Sequence, residues 1–222
     1  MFFVLAKNWY MKNKFYNGCF YHIFNKSIAN FGIFSKPNNA LRFIDGLDYY
    51  NSIKTKMSLS VYLRKNSLDT NFLLPKEDSV AKIISYCIMP DHYHLLVKII
   101  HMEKFSKYIN NAEASFSRYF NIKTNRKGPL WQSRFKSVYI ESNEHLLHVS
   151  RYIHLNPTTK YLVDNPEDWN LSSYKYFISD QKYLKEYVKE ISIDSCIDYK
   201  KFVENNKDYQ RELKHIRKLM LD

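Results

Sequence analysis

The 222 residues carry 34 Lys and Arg against 22 Asp and Glu, a net charge of +12, and 45% of them are hydrophobic. That apolar content excludes disorder as the main state, and 4 glycines with 6 prolines exclude a loop-built or low-complexity scaffold. Three cysteines, Cys19, Cys87 and Cys196, are odd in number and lack CxxC spacing, which excludes a disulfide framework and a cysteine zinc site.

The opening apolar run, Met1 to Leu5, is too short for a signal sequence. No later run approaches the roughly 18 apolar residues of a membrane span, so a cytoplasmic protein without a membrane partner is expected. Residues 18–29 are aromatic and β-branched and predict a strand. Pro37-Asn38-Asn39 opens an amphipathic helix through Leu41, Ile44, Leu47 and Tyr50. Residues 55–80 read as a helical or irregular insertion. Lys82–Met89 and His92–Ile100 predict two strands joined by the Pro90-Asp91 turn, a hairpin at the centre of a sheet. Phe105, Tyr108, Ile109, Ala112, Phe116, Tyr119 and Phe120 recur at three- and four-residue steps, which predicts a helix broken at Asn125–Pro129. Trp131–Ile140 predicts a strand, and Ser142 caps a helix through Leu155 that Pro157 ends. Trp169–Tyr174 reads as a packed connection, and 180–222 as charged helices forming an appendage. The first six elements match the β-α-β-β-α-β ferredoxin-like unit. An α+β fold follows: an antiparallel sheet with helices on one face, one added helix and a helical C-terminal extension.

The charge is not uniform. Residues 1–44 contain no acid and carry +6, and so do residues 114–140, while the rest of the chain is neutral. Both windows are rich in aromatic residues, a pattern that suits a polyanion track better than a solubilising surface. The second window holds Arg118, Lys123, Arg126, Lys127, Arg134 and Lys136. Arg126 and Lys127 are expected to contact phosphate, whereas Arg134, flanked by Trp131 and Phe135, can equally be structural.

Two features carry chemistry. On a strand, His92 and His94 point to one face and Tyr93 to the other, so the two imidazoles can share a divalent ion. Taken alone, an H-x-H pair is a weak motif and reads first as a pair of surface or core histidines. On the helix 142–155, Tyr152 and Asn156 are four apart and stack on one face, with His148 one turn earlier. A metal held by His92, His94 and the Asn156 side-chain oxygen would polarise a phosphodiester. It would also favour the phenolate of Tyr152, a nucleophile that could cleave a strand and keep the bond energy in a phosphotyrosine.

Three segments in order resemble the single-tyrosine HUH transposases. They are Met89-Pro90-Asp91-His92-Tyr93-His94-Leu95-Leu96, Gly128 to Ser137 (Gly-Pro-Leu-Trp-Gln-Ser-Arg-Phe-Lys-Ser), and Arg151-Tyr152-Ile153-His154-Leu155-Asn156-Pro157. The likeness is to REP-associated tyrosine transposases and related insertion-sequence transposases, and spans roughly residues 15–178. It implies a DNA-processing domain over 1–178, with its insertion around 55–80, and leaves 179–222 outside it as a helical extension. It further implies His92 and His94 as the HUH histidines, Tyr152 as nucleophile and Asn156 as the amide completing the metal site. The expected cofactor is Mg²⁺ or Mn²⁺, the expected partner single-stranded or hairpin DNA, and a homodimer is open. The expected chemistry is nicking and strand transfer through a 5′-phosphotyrosine. Thr158-Thr159-Lys160-Tyr161 departs from the Val-Arg-Ala-Gly-like stretch usual after Asn-Pro.

Two other classes compete. One is a non-catalytic or domesticated nucleic-acid module, in which Tyr86 and Tyr93 would be the candidates for base stacking. The other is a metal-dependent hydrolase that uses water in place of Tyr152.

Overall fold

A computed structural model describes residues 14–68, 73–74, 76–180, 182, 189–193 and 195–212. The expectations for Met1–Leu5, Lys7 and Lys12, and for most of 181–188 and 213–222, lie outside the described residues.

Four strands form one antiparallel sheet: β1 (Phe20–Lys26), β2 (Ala81–Ile88), β3 (His92–Ile99) and β4 (Lys136–Ile140), in the order β2-β3-β1-β4. Helices α1 (Pro37–Tyr50) and α3 (Met102–Lys123) return the chain between strands, with a short α2 (Leu59–Tyr62) between α1 and β2. The element order is that of the β-α-β-β-α-β unit, and the fold is α+β.

The sheet is covered on both faces, which is why β2 and β3 read as nearly continuous apolar runs. On one face the rings of Phe34, Phe43, Phe116 and Trp131 form an aromatic cluster under α1 and α3, and Tyr93 of β3 projects into it 5.0 Å from Phe43. Tyr93 is fully buried and Tyr86 nearly so, which leaves neither ring free for a base. On the other face lies α4 (Asn143–Thr159), whose Ser142 cap accepts from the His145 amide. The segment after it pairs with the β2 edge: Ile88 donates to Leu171 O, Ser173 to Tyr86 O, and Trp169 Nε1 to Ile88 O. The Tyr86–Ile88 end of that edge is thereby closed to further pairing.

The strand expected over 18–29 is confined to Phe20–Lys26, and two further boundaries differ from the sequence expectation. The strand expected over 131–140 begins only at Lys136, because Trp131 bridges Ser27 while Lys136 pairs with Phe24. Five steps on one side (136 − 131) match three on the other (27 − 24), so two extra residues bulge out and the Asn25 side chain takes the Ser133 carbonyl at 3.0 Å. The helix expected to stop before Pro157 runs on to Thr159. A proline in the last turn forfeits one backbone bond, and Thr158 and Thr159 donate their hydroxyls back to Leu155 O there. Leu162 and Tyr161 then donate to Pro157 O and Thr158 O, the two-bond helix stop that places Tyr161 at φ 56°.

Of the C-terminal stretch, α5 (Tyr174–Ser179) and α6 (Cys196–Glu204) pack together and α6 also packs on α4. The fully buried Tyr199 hydroxyl lies 2.8 Å from His154 Nδ1 and donates to Ser150 Oγ at 3.0 Å. Among the described residues, no helix is long and apolar enough to cross a membrane.

Candidate active site

The pleat of β3 places His92 and His94 on the α4 side and Tyr93 on the other, and β1 adds to this arrangement. His94 pairs with Phe24, so the alternate residues His22, Phe24 and Lys26 share its face. His22 Nε2 lies 2.9 Å from His94 Nδ1, and His92 Nδ1 lies 2.5 Å from Asp91 Oδ1, with Lys26 Nζ 3.4 Å from the other oxygen of that carboxylate. Each Nδ1 of the H-x-H pair is thereby tied to a partner of its own.

Helix α4 brings the remaining two residues. Asn156 is buried with Nδ2 3.2 Å from His94 Nε2, and the Tyr152 ring stands edge-on to both buried histidines, 5.6 Å from His94 and 6.0 Å from His22 between centroids. Unlike its neighbours, Tyr152 is 43% exposed. Its ring thus borders the histidines while part of it meets solvent, as a nucleophile for a large substrate requires.

Burial dominates the electrostatics. It holds the His94 imidazole well below the ordinary histidine value, and His22, His92 and Lys160 add to the effect. Burial, then His145, lowers His22 to about 4. Burial works to raise the Asp91 carboxyl, but the hydrogen bond and charge of His92 and the charge of Lys26 outweigh it and bring the group to about 2. A neutral His94 with its proton on Nδ1 donates to His22 and presents an Nε2 lone pair, to which the Asn156 amide donates. His92 is oriented through its Nδ1 by the Asp91 carboxylate.

This donor set fits a divalent cation. Two imidazoles with Nδ1 fixed by outer partners form the arrangement that orients metal ligands, and a half-turn of the Asn156 amide offers its oxygen at the same place. Among the described residues no group of three or more His, Cys, Asp or Glu side chains is gathered for a metal, and the Asn156 amide is the further donor beside the two histidines. Such a sparse set leaves positions for water and phosphate oxygens.

The basic residues divide. Lys136 pairs with Phe24 and so lies on the histidine face, at the sheet's edge strand. Arg134 is exposed in the bulge. Arg118 and Lys123 are on α3, across the sheet from the histidines. Arg126 is engaged with its own turn, donating to Asn121 Oδ1, Gly128 O and Pro129 O at 3.1, 3.3 and 2.7 Å, while Lys127 is exposed. His22 and Asp91 are what sequence reasoning missed. His22 lies 72 residues from His94 and reads as one more residue of an aromatic strand, so only the pairing register reveals it. Asp91 was hidden in its turn signal, although a carboxylate next to the H-x-H pair was a local clue.

Residues 54–156 match the family model described as IS200-like transposase. The chain is also 24% identical over 144 residues to a putative REP-associated tyrosine transposase of Haemophilus influenzae, a match covering 60% of this chain and 81% of the relative. The likeness to IS200-like transposases thus spans just under half of the chain. The family match contains His92, His94, Tyr152 and Asn156 and ends on the last of them. The fold is that of a REP-associated tyrosine transposase solved bound to a REP hairpin, with TM-score 0.53 and 15% identity, covering 77% of this chain and 85% of that one.

Proposed function

We propose that this chain is a transposase that nicks and joins single-stranded DNA with Tyr152 as nucleophile. The observation that carries the reading is the half-exposed Tyr152 ring edge-on to His94 and His22, beside the convergent His92 and Asn156. His92, His94 and Asn156 would hold the ion, Mg²⁺ or Mn²⁺, which when bound polarises the scissile phosphate and favours the phenolate. The Tyr152 oxygen attacks phosphorus in line, the P–O3′ bond breaks, and the leaving oxygen takes up a proton as a free 3′-hydroxyl. The 5′-phosphate stays on Tyr152, and attack by a 3′-hydroxyl reverses these steps to join strands. Lys26, Lys127, Arg134 and Lys136 supply positive charge for the DNA backbone, with Arg118 and Lys123 across the sheet. Hairpin DNA is the proposed partner, since the relative of matching fold was solved on a REP hairpin, and the cytoplasm the proposed place of action.

The test is incubation with single-stranded hairpin oligonucleotides, with and without Mg²⁺ or Mn²⁺, followed by denaturing gel electrophoresis. A protein–DNA adduct that needs the metal and is absent in Tyr152→Phe is expected. An adduct that persists in Tyr152→Phe, or cleaved ends bearing no protein, sinks the assignment.

A further inference from the structure

On the face of the sheet opposite the histidines, α2 and the last turns of α3 enclose a cleft of about 580 Å³. Two serines line it with Val61, Arg64, Arg118, Tyr119, Ile122 and Lys123, three cations and no acid. Beneath it the Arg42 guanidinium carbon lies 5.4 Å from the Tyr119 ring centroid, and Arg42 Nη1 is buried with no hydrogen-bond partner among the described residues. Lys123 Nζ donates to Tyr119 Oη and Asn39 Oδ1, both at 2.8 Å, which holds the ring in place. Val61 is 48% exposed and Ile122 82%, so the cationic cleft has apolar walls open to solvent.

We infer that this cleft takes one unpaired nucleotide of the DNA substrate, its phosphate on Arg64 and Arg118 and its base against Val61, Ile122 and the edge of Tyr119. The inference rests on the DNA-processing reading above and gives that reading a second contact. Its volume lies within the roughly 300–1,000 Å³ of built ligand sites. A duplex offers phosphates on a convex surface with its bases stacked inside, whereas an unpaired nucleotide can put both parts into a concavity. The topology supplies the route. Helix α3 runs back along the sheet to the end where β3 begins, so Lys123 lies at the His92 end. The turn that follows, with Lys127 exposed, leads to Trp131 at its bridge to Ser27, next to Lys26 and Asp91. A single strand leaving Tyr152 can follow these cations around the end of the sheet.

The test is equilibrium binding without divalent metal, hence without cleavage. The full chain is compared with the Arg64→Ala/Arg118→Ala variant on a blunt hairpin and on the same hairpin with a single-stranded flank. The double variant is expected to lose about tenfold affinity for the flanked probe alone, with a salt slope shallower by about 1.4, two single-strand phosphate contacts. Ile122→Asp, at an exposed position, should show the same selective loss by repelling phosphate, and the melting temperature checks that both variants fold. Equal binding of both probes by wild type and variants overturns the inference. So does an equal loss on both probes, which would place duplex phosphates there. Failure of the wild type to bind either probe instead sinks the reading beneath it.

Discussion

His22 on β1 and His94 on β3 meet through their ring nitrogens at 2.9 Å, so the neighbouring strand sets the orientation of one member of the H-x-H pair. An outer partner of this kind typically governs metal affinity about 10–100-fold. His22→Ala is therefore expected to weaken Mn²⁺ binding by a factor in that range in calorimetric titration, with the fold verified by its melting curve. Unchanged affinity in a folded variant would remove His22 from the site.

Glu113 should give stability an unusual pH dependence. Its Oε1 accepts from Asn25 Nδ2 at 2.8 Å and Tyr93 Oη at 2.7 Å, yet burial outweighs both bonds and pushes the carboxyl from 4.5 up to about 7. The folded state therefore keeps this proton to higher pH than the unfolded chain does. The stability it supplies is complete below pH 4.5 and is lost as pH rises through about 7. Glu113→Gln should flatten that part of the curve, an effect of up to about 3 kcal/mol, in denaturant unfolding at stepped pH. Parallel curves for wild type and variant would refute the shift.

Gly128 stands at φ +95°, and a methyl group added there would meet nothing within 4 Å. The cost of Gly128→Ala is then backbone strain alone, about 1–3 kcal/mol, read as a lower melting temperature. No change would mean that the turn tolerates another conformation.

Arg126 and Lys127 adjoin in sequence but should separate by experiment. Lys127→Ala should reduce the salt slope of DNA binding by about one contact and leave stability unchanged. Arg126→Ala should destabilise the protein by about 1–3 kcal/mol, because its guanidinium holds two carbonyls and an amide of its own turn. Identical behaviour of the two variants would refute the division.

Tyr199→Phe removes the hydroxyl shared by His154 and Ser150. The expected cost is about 1–3 kcal/mol from the His154 Nδ1 left unpaired in the interior. A neutral result would show that α6 contributes little to holding α4.

Periodicity exposed much of this molecule in advance. The two-residue alternation of His92-Tyr93-His94 and the four-residue step from Tyr152 to Asn156 are local, and each follows from the geometry of one element. Contacts across the sequence were hidden. The meeting of His22 with His94 depends on the β1–β3 register, and that of His154 with Tyr199 on a helix 45 residues further on. Pro157 misled because a breaker is read from its residue type, whereas its cost depends on which turn it occupies. Trp131 to Phe135 read as strand because aromatic composition says nothing of a two-residue bulge.

One strand serves two masters: the odd-numbered side of the His92–His94 triplet anchors the interior through Tyr93 and Glu113, and the even-numbered side faces Tyr152 and Asn156. Sliding β3 by a single position would exile that tyrosine to the reactive side and entomb the histidines among aromatic rings. A slipped strand would therefore lose the packed interior and the histidine cluster in one step.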